Sequence, residues 1–521
     1  MKPSTELFDL VKSLTKSEKR FFKLSSSLQS GEKNYLKIFD VIDRQKNYDE
    51  DAIKDQFKKE TFIKHFPSEK NHLYKLILKS LRSYHSDNSV SSILKQEIKN
   101  IEILYRKALF KECNKFLARA KKIAIEREKF YYWFELLSWE KLLLEEAYEA
   151  GEFTTDLDAL IKEEQEVIEK LRNLAAYHVL YSKINYVYRS GGYVRNDKDR
   201  ALVEEISHHP LIIGRNTALS YRAATICYYI QGFCATASVD KETAYVKFMR
   251  VKEILDSKPL VRDDLPKRYM LTLSNLLKIQ IDTRRIDEAL EMITMMRKIS
   301  KKSAFSSEDI ALRVFKSTYL AEMRIYEKKG EYDKAIKNID IIVNGLDINE
   351  GKMNKEQELL FLNTISTVYF GAGRYKESLQ WLNRVLNDNE QNLRQDLYSY
   401  ARLFNLVVHF ELGNYDLLEY IIKSTNRYLS KRERDHDLEI VILNYMKRLV
   451  RGTQNSDLQE IFIEFREELS VQLSRQNDEI ILDYFNFLIW IDSKLKGIPF
   501  DQATKEHYDL TMSEAQKKVA V

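Results

Sequence analysis

Apolar residues recur along most of the chain at the three-and-four spacing of helices that bury one face. Three turns between such stripes share one local pattern. Tyr326-Glu-Lys-Lys-Gly330-Glu-Tyr332-Asp-Lys-Ala335, Tyr369-Phe-Gly-Ala-Gly373-Arg-Tyr375-Lys-Glu-Ser378 and His409-Phe-Glu-Leu-Gly413-Asn-Tyr415-Asp-Leu-Leu418 each join two striped segments through Gly-x-Tyr. Their glycines, at 330, 373 and 413, are 43 and 40 residues apart. Repetition on this scale predicts stacked helical hairpins, each too small to bury its own apolar side. The glycine permits the left-handed backbone that ends a helix. The aromatic two positions later covers the hairpin's open end, and Ala335 or Ser378 lets the second helix approach the first.

The pattern extends in both directions. Ile281-Asp-Thr-Arg284-Arg-Ile-Asp-Glu-Ala289 repeats the turn with Arg284 in the glycine position, 46 residues before Gly330. Leu104-Tyr-Arg-Lys-Ala108-Leu-Phe110-Lys-Glu-Cys113 repeats it with alanine. Tyr148-Glu-Ala-Gly151-Glu-Phe153 and Tyr188-Arg-Ser-Gly-Gly192-Tyr193 mark further helix ends, and residues 221–255 form a hairpin bent around 235–240. The stretch 190–215 breaks the rhythm with a double glycine, a polar run and His208-His209-Pro210, and is expected to be an inserted loop with a short helix. Beyond 431 the pattern decays, with helix ends at Gly452 and Gly497 and a polar tail from Thr504 that forms a loosely held last helix.

At these residues the chain resembles the tetratricopeptide (TPR) repeat, best at 316–343, where Tyr326, Gly330, Tyr332, Ala335, Ile339 and Ile342 fall on pattern positions. At 402–429 Leu418 occupies the small-residue site. The resemblance implies an all-α, right-handed superhelical solenoid of about eight to ten TPR-like hairpins with period 40–46, longer than the usual TPR unit, over 91–503. It also implies a concave groove lined by first helices. Carried to matching positions, its groove contacts are Ser274, Lys278, Ser317, Arg324, Lys328, Asn363 and Thr367. Lys278, Arg324 and Lys328 would clamp carboxylates of a peptide, Arg324 through a bidentate fork, and Asn363 would bond its backbone.

Residues 1–90 follow no repeat and predict a small helical N-terminal region. Thr15-Lys-Ser-Glu18 ahead of Phe21-Phe22 is a capping box that starts a helix near Lys16. Helices follow at 32–46 and 49–59, and Pro67-Ser68 open an amphipathic one. Segment 49–84 suggests helix–turn–helix, with 71–82 as the reading helix, although its connection is long and lacks glycine. The opening Ser13-Leu-Thr-Lys-Ser-Glu-Lys-Arg-Phe-Phe-Lys23 resembles the start of bacterial helical-repeat proteins, a likeness that implies no activity.

Composition adds three constraints. Six prolines and 14 glycines in 521 residues are too few for an all-β chain. The net charge of +5 lies wholly in residues 1–90, which hold 18 Lys/Arg against 13 Asp/Glu, a difference of five. The start carries no apolar signal region, and Cys113, Cys227 and Cys234 lack metal-ligand spacing, so a cytoplasmic protein with no membrane association is expected. Cys113 takes the small-residue place of a turn motif and should be a buried thiol. The 56 Tyr and Phe residues read as packing within and between hairpins.

No chemical motif emerges. A phosphate loop, a nucleophile elbow and a His-Glu-x-x-His helix are all missing, and Gly371-Ala-Gly373 lacks a third glycine and a preceding strand. Adjacent His208 and His209 have no ligand-spaced carboxylate or thiol, and the polar cluster 432–437 reads as a helix start. No cofactor or metal is implied. The expectation is therefore a non-enzymatic protein–protein interaction scaffold that holds a peptide or helix in its groove. The alternative is a regulator whose residues 1–90 touch nucleic acid while the array senses a partner; an enzyme with a buried pocket ranks third.

Overall fold

The computed structural model describes residues 5–27, 34–85, 89–151, 156–189, 197–388, 395–430, 437–452, 458–476 and 485–519. Every regular element among them is a helix. The chain forms two compact units, residues 1–176 with 218–222, and residues 177–217 with 223–521.

The first unit opens with α1 (Glu6–Ser13), α2 (Lys16–Ser27), α3 (Asn34–Arg44), α4 (Glu50–Gln56) and α5 (Phe66–Tyr84). The capping box forms as the sequence requires. Glu18 accepts from the Thr15 amide at 2.7 Å, Thr15 Oγ1 accepts from the Glu18 amide at 3.2 Å, and α2 starts at Lys16. Val11, Ile38, Phe39, Ile42, Leu73 and Ile77 are fully buried in one core. Between α4 and α5 lie Phe57–Glu60 and a 3₁₀ turn, Thr61–His65, so 71–82 is part of a longer helix reached by no tight helix–turn–helix bend.

A separate core in this unit joins α6 (Val90–Arg106), α7 (Phe110–Glu126), α8 (Phe130–Glu149) and the start of α9 (Leu157–Arg189). Cys113 is buried there, as its place in the turn motif predicts, and donates its S–H to the Ile101 carbonyl.

The second unit takes up the end of α9 and continues through α10 (Asp197–Ser207), α11 (Pro210–Ile213), α12 (Tyr221–Ala237), α13 (Lys241–Ser257), α14 (Pro259–Asp263), α15 (Pro266–Asp282) and α16 (Ile286–Ile299). Then come α17 (Glu308–Lys328), α18 (Tyr332–Ile336), α19 (Ile339–Ile348), α20 (Lys355–Gly371), α21 (Tyr375–Leu386), α22 (Gln395–Glu411) and α23 (Tyr415–Leu429). The last four are α24 (Asp437–Gly452), α25 (Leu458–Gln476), α26 (Phe487–Lys496) and α27 (Phe500–Val519). Successive helices pack on one another, α15 against both α16 and α17, and α20 against α21 and α22. In the expected insertion, His209 accepts from the Leu211 amide and so caps α11, while the double glycine and the cluster 432–436 lie outside the described residues.

The turns share one closure. In the Gly330 turn the Gly330 amide donates to Glu327 O at 3.0 Å and the Glu331 amide to Tyr326 O at 2.8 Å. This pair of bonds is the Schellman motif, which needs a left-handed residue just past the helix. Gly373, Gly413 and Gly497 repeat it at φ 72°, 71° and 65°. So do Ala108 (φ 55°) and Arg284 (φ 61°), the two positions where the sequence substitutes for glycine. Glu128 (φ 52°) and Val239 (φ 62°) close two more hairpins in the same way. The aromatics after the glycines fold back on the preceding helix, Tyr375 onto Phe370 at 5.1 Å and Tyr415 onto Phe410 at 5.7 Å.

The C-terminal helix differs from the expected loose tail. α27 begins at Phe500, four residues earlier, and lies across the turn ends of earlier hairpins. Phe500 meets Tyr332, Phe370 and Phe485, Thr504 Oγ1 lies 3.3 Å from the Tyr332 hydroxyl, and Arg284 donates to the Thr511 carbonyl at 2.9 Å. An added Cβ on Gly330 would stand 2.6 Å from the Asp501 carbonyl oxygen, so glycine is needed there for close approach as well as for φ. Farther along, buried Glu411 accepts from Trp490 Nε1 and from Lys494 Nζ, each at 2.6 Å, and ties α26 to α22.

Candidate functional site

The groove positions proposed from sequence fall on α15, α17 and α20. Ser274 on α15 and Ser317 on α17 are half-buried and share a hydrogen bond of 2.9 Å between hydroxyls. The contact is one of a set that joins neighbouring first helices, with Asn275 Nδ2 donating to Tyr229 Oη at 2.9 Å and Arg268 to Thr225 Oγ1 at 3.3 Å. Residues four apart in a helix lie on one face, so Lys278 continues the Ser274 stripe on α15. On α17 the same rule aligns Arg324 and Lys328 with Ser317. Lys278 and Lys328 are exposed and Arg324 is half-buried.

Asn363 and Thr367 are placed differently. No residue of α20 is exposed; Asn363 is 5% accessible and Thr367 3%, and the Thr367 hydroxyl donates to the Thr364 carbonyl in its own helix. The structure thus brings Ser274, Lys278, Ser317, Arg324 and Lys328 onto adjoining stripes and leaves Asn363 and Thr367 inside the helical packing.

Two further cations join the group. Arg313, one turn before Ser317 on the same face, is half-buried, and its Nε is fully enclosed without a hydrogen-bond partner. Lys316 beside it is held below the ordinary lysine range by burial and by the adjacent Arg313 charge. The signal was present in the sequence as the Arg313–Ser317 spacing of four, but the repeat offsets that nominated Ser317 stop short of it.

Lys278, Arg313, Arg324 and Lys328 make no ion pair with any described acid. Three other cations of these hairpins are matched: Arg285 with Glu242 at 2.8 Å, Arg297 with Glu322 at 2.7 Å and Lys352 with Glu308 at 3.1 Å. Guanidinium and ammonium groups so arranged attract carboxylates; the Ser274 proton goes to the Met270 carbonyl and that of Ser317 to Ser274, so the two hydroxyl oxygens between them offer acceptors. Among the described residues no cluster of His, Cys, Asp and Glu has metal-site geometry, and no helix is long and apolar enough to cross a membrane. No protein-family model and no curated protein matches the chain.

Proposed function

We propose that this protein is a non-enzymatic interaction scaffold whose hairpins, TPR-like and stacked in a right-handed superhelical array, hold an acidic segment of a partner protein along the stripe on α15 and α17. The observation that carries the proposal is the set of four cations on two consecutive hairpins without acidic partners among the described residues. Carboxylates of an Asp- or Glu-rich peptide would pair with Lys278, Arg324 and Lys328, while Ser274 and Ser317 present hydroxyls to its backbone. Packed helices preorganise these side chains, which lowers the ordering cost of binding. Co-purification from the native host tests the proposal: a stoichiometric partner should be recovered with the wild-type chain and lost with Arg324→Glu plus Lys328→Glu. Recovery of the same partner with the double variant would refute the assignment of the stripe.

A further inference from the structure

The outer face of α5 carries a second uncompensated charge pattern, in the N-terminal five-helix core and independent of the groove stripe. Leu73, Ile77 and Ser80 turn α5 inward, and the opposite face presents Asn71, Lys75, Lys79 and Arg82, all exposed. These positions are four, four and three residues apart, one straight stripe on a helix. Lys75 to Arg82 spans about 10 Å at a rise of about 1.5 Å per residue. The only acid of the helix is Glu69 in its first turn, before the stripe begins.

Five acids of the neighbouring segments are already paired with other groups. Asp43 holds Lys19 at 2.6 Å, Asp40 holds Lys23 at 2.6 Å, Glu60 holds Lys37 at 3.0 Å, Glu50 holds Lys70 at 2.5 Å and Glu18 meets His85 at 2.6 Å. Lys75, Lys79 and Arg82 make no ion pair with any described acid. Lys75, Lys79 and Arg82 are thus three unpaired cations in a row on one helix face, with His72 exposed beside them.

We propose that α5 binds duplex DNA, laying the Asn71–Lys75–Lys79–Arg82 face into the major groove. A polyanion is favoured because three cations follow one another along the face, which carries one half-buried apolar side chain, Leu78, and no aromatic anchor of the kind a protein interface buries at its centre. A bilayer fits less well, since the apolar side of α5 is already used in the core and nothing remains to enter the lipid. The B-form major groove, about 12 Å wide, admits a helix, whereas the A-form groove of RNA is too narrow. The three cations bind phosphates, and the Asn71 amide matches the paired donor and acceptor on an adenine edge.

Fluorescence anisotropy of the full chain with a labelled 30-base-pair DNA duplex tests the proposal. Three neutralised phosphates predict a salt slope near −2.7, so affinity should fall about 40-fold between 50 and 200 mM salt. Lys75→Gln/Lys79→Gln/Arg82→Gln, three changes at exposed positions, should weaken binding at least about tenfold and flatten the salt slope while circular dichroism stays unchanged. Arg324→Glu/Lys328→Glu should leave DNA binding as it is, which separates this site from the groove stripe. The proposal is overturned if the wild-type chain fails to bind at 50 mM salt, if the glutamine variant binds like wild type, or if an RNA duplex binds as tightly.

Discussion

Ser274 and Ser317 stand 43 residues apart in the chain and share a hydrogen bond of 2.9 Å. The same separation recurs in Tyr245–Glu288 and Arg285–Glu242, and close variants occur as 44 in Glu308–Lys352 and 46 in Tyr229–Asn275. The spacing of the turn motifs in the sequence is thus the sequence distance of the side-chain contacts between successive hairpins. One hairpin of chain separates each residue from the neighbour it touches. That arithmetic sets Lys278 and Arg324 on adjoining stripes, and it makes the turns and their contacts open to direct tests.

Two glycines with the same backbone should respond differently to alanine. Gly413 has φ 71° and open space where a Cβ would go, so Gly413→Ala should cost about 1–2 kcal/mol of left-handed strain. Gly330 has φ 66°, and its added Cβ would also strike the Asp501 carbonyl at 2.6 Å and approach the Lys505 amide nitrogen at 3.2 Å. Gly330→Ala should therefore lower the melting temperature more than Gly413→Ala. Amide exchange should quicken over residues 500–511 in the first variant and stay unchanged there in the second.

Glu411 joins α22 to α26 through Trp490 and Lys494, and its side chain is only 8% exposed. Replacing it by alanine leaves a buried indole N–H without an acceptor and an ammonium without its counter-charge. Glu411→Ala should destabilise the second unit by about 2–4 kcal/mol, with Lys494 keeping some solvent contact. Urea unfolding followed by tryptophan emission reads this directly.

Alkaline pH should weaken the second unit. Burial pushes the Cys234 thiol up to about 12, and burial likewise raises Tyr177 and Tyr375 to about 12. Burial and the hydrogen bond to Glu468 take Tyr445 to about 12. These groups are neutral in the folded state and ionise earlier when unfolded, near 9 for the thiol and 10 for the phenols. Between those values and about 12 the unfolded chain binds fewer protons, so stability falls as pH rises. Urea midpoints should be flat from pH 7 to 9 and drop progressively from 9 to 11. A thiol reagent at pH 8 should label none of the three buried cysteines until the chain unfolds.

Much of the helix and turn framework was legible because its determinants are local. The Thr15–Glu18 capping box fixes where α2 starts, and Ala108 and Arg284 keep the turn geometry without glycine because apolar stripes on both sides demand the same reversal. Glu128 and Val239 close hairpins that no Gly-x-Tyr motif announces, with Asp240 supplying a cap to Thr243 instead. The docking of α27 could not be read in advance, since its contacts reach 172 residues back to Tyr332 and 227 back to Arg284. At the stripe, Ser274 and Ser317 followed from repeat offsets, but Asn363 comes from equivalent reasoning and is buried, because offsets give the side of a helix and not what covers it. Arg313 stands four residues before Ser317 in the sequence, but the repeat offsets do not include it, and the fold singled it out by its enclosed Nε.

The most direct test is calorimetric titration of a synthetic Asp/Glu-rich peptide into the full chain at low salt, repeated with Arg324→Glu/Lys328→Glu. Binding to the wild-type chain that weakens with salt and falls at least about tenfold in the double variant is the predicted result. Equal affinity for both chains, or no binding to either, would contradict the assignment of the α15–α17 stripe as the docking surface.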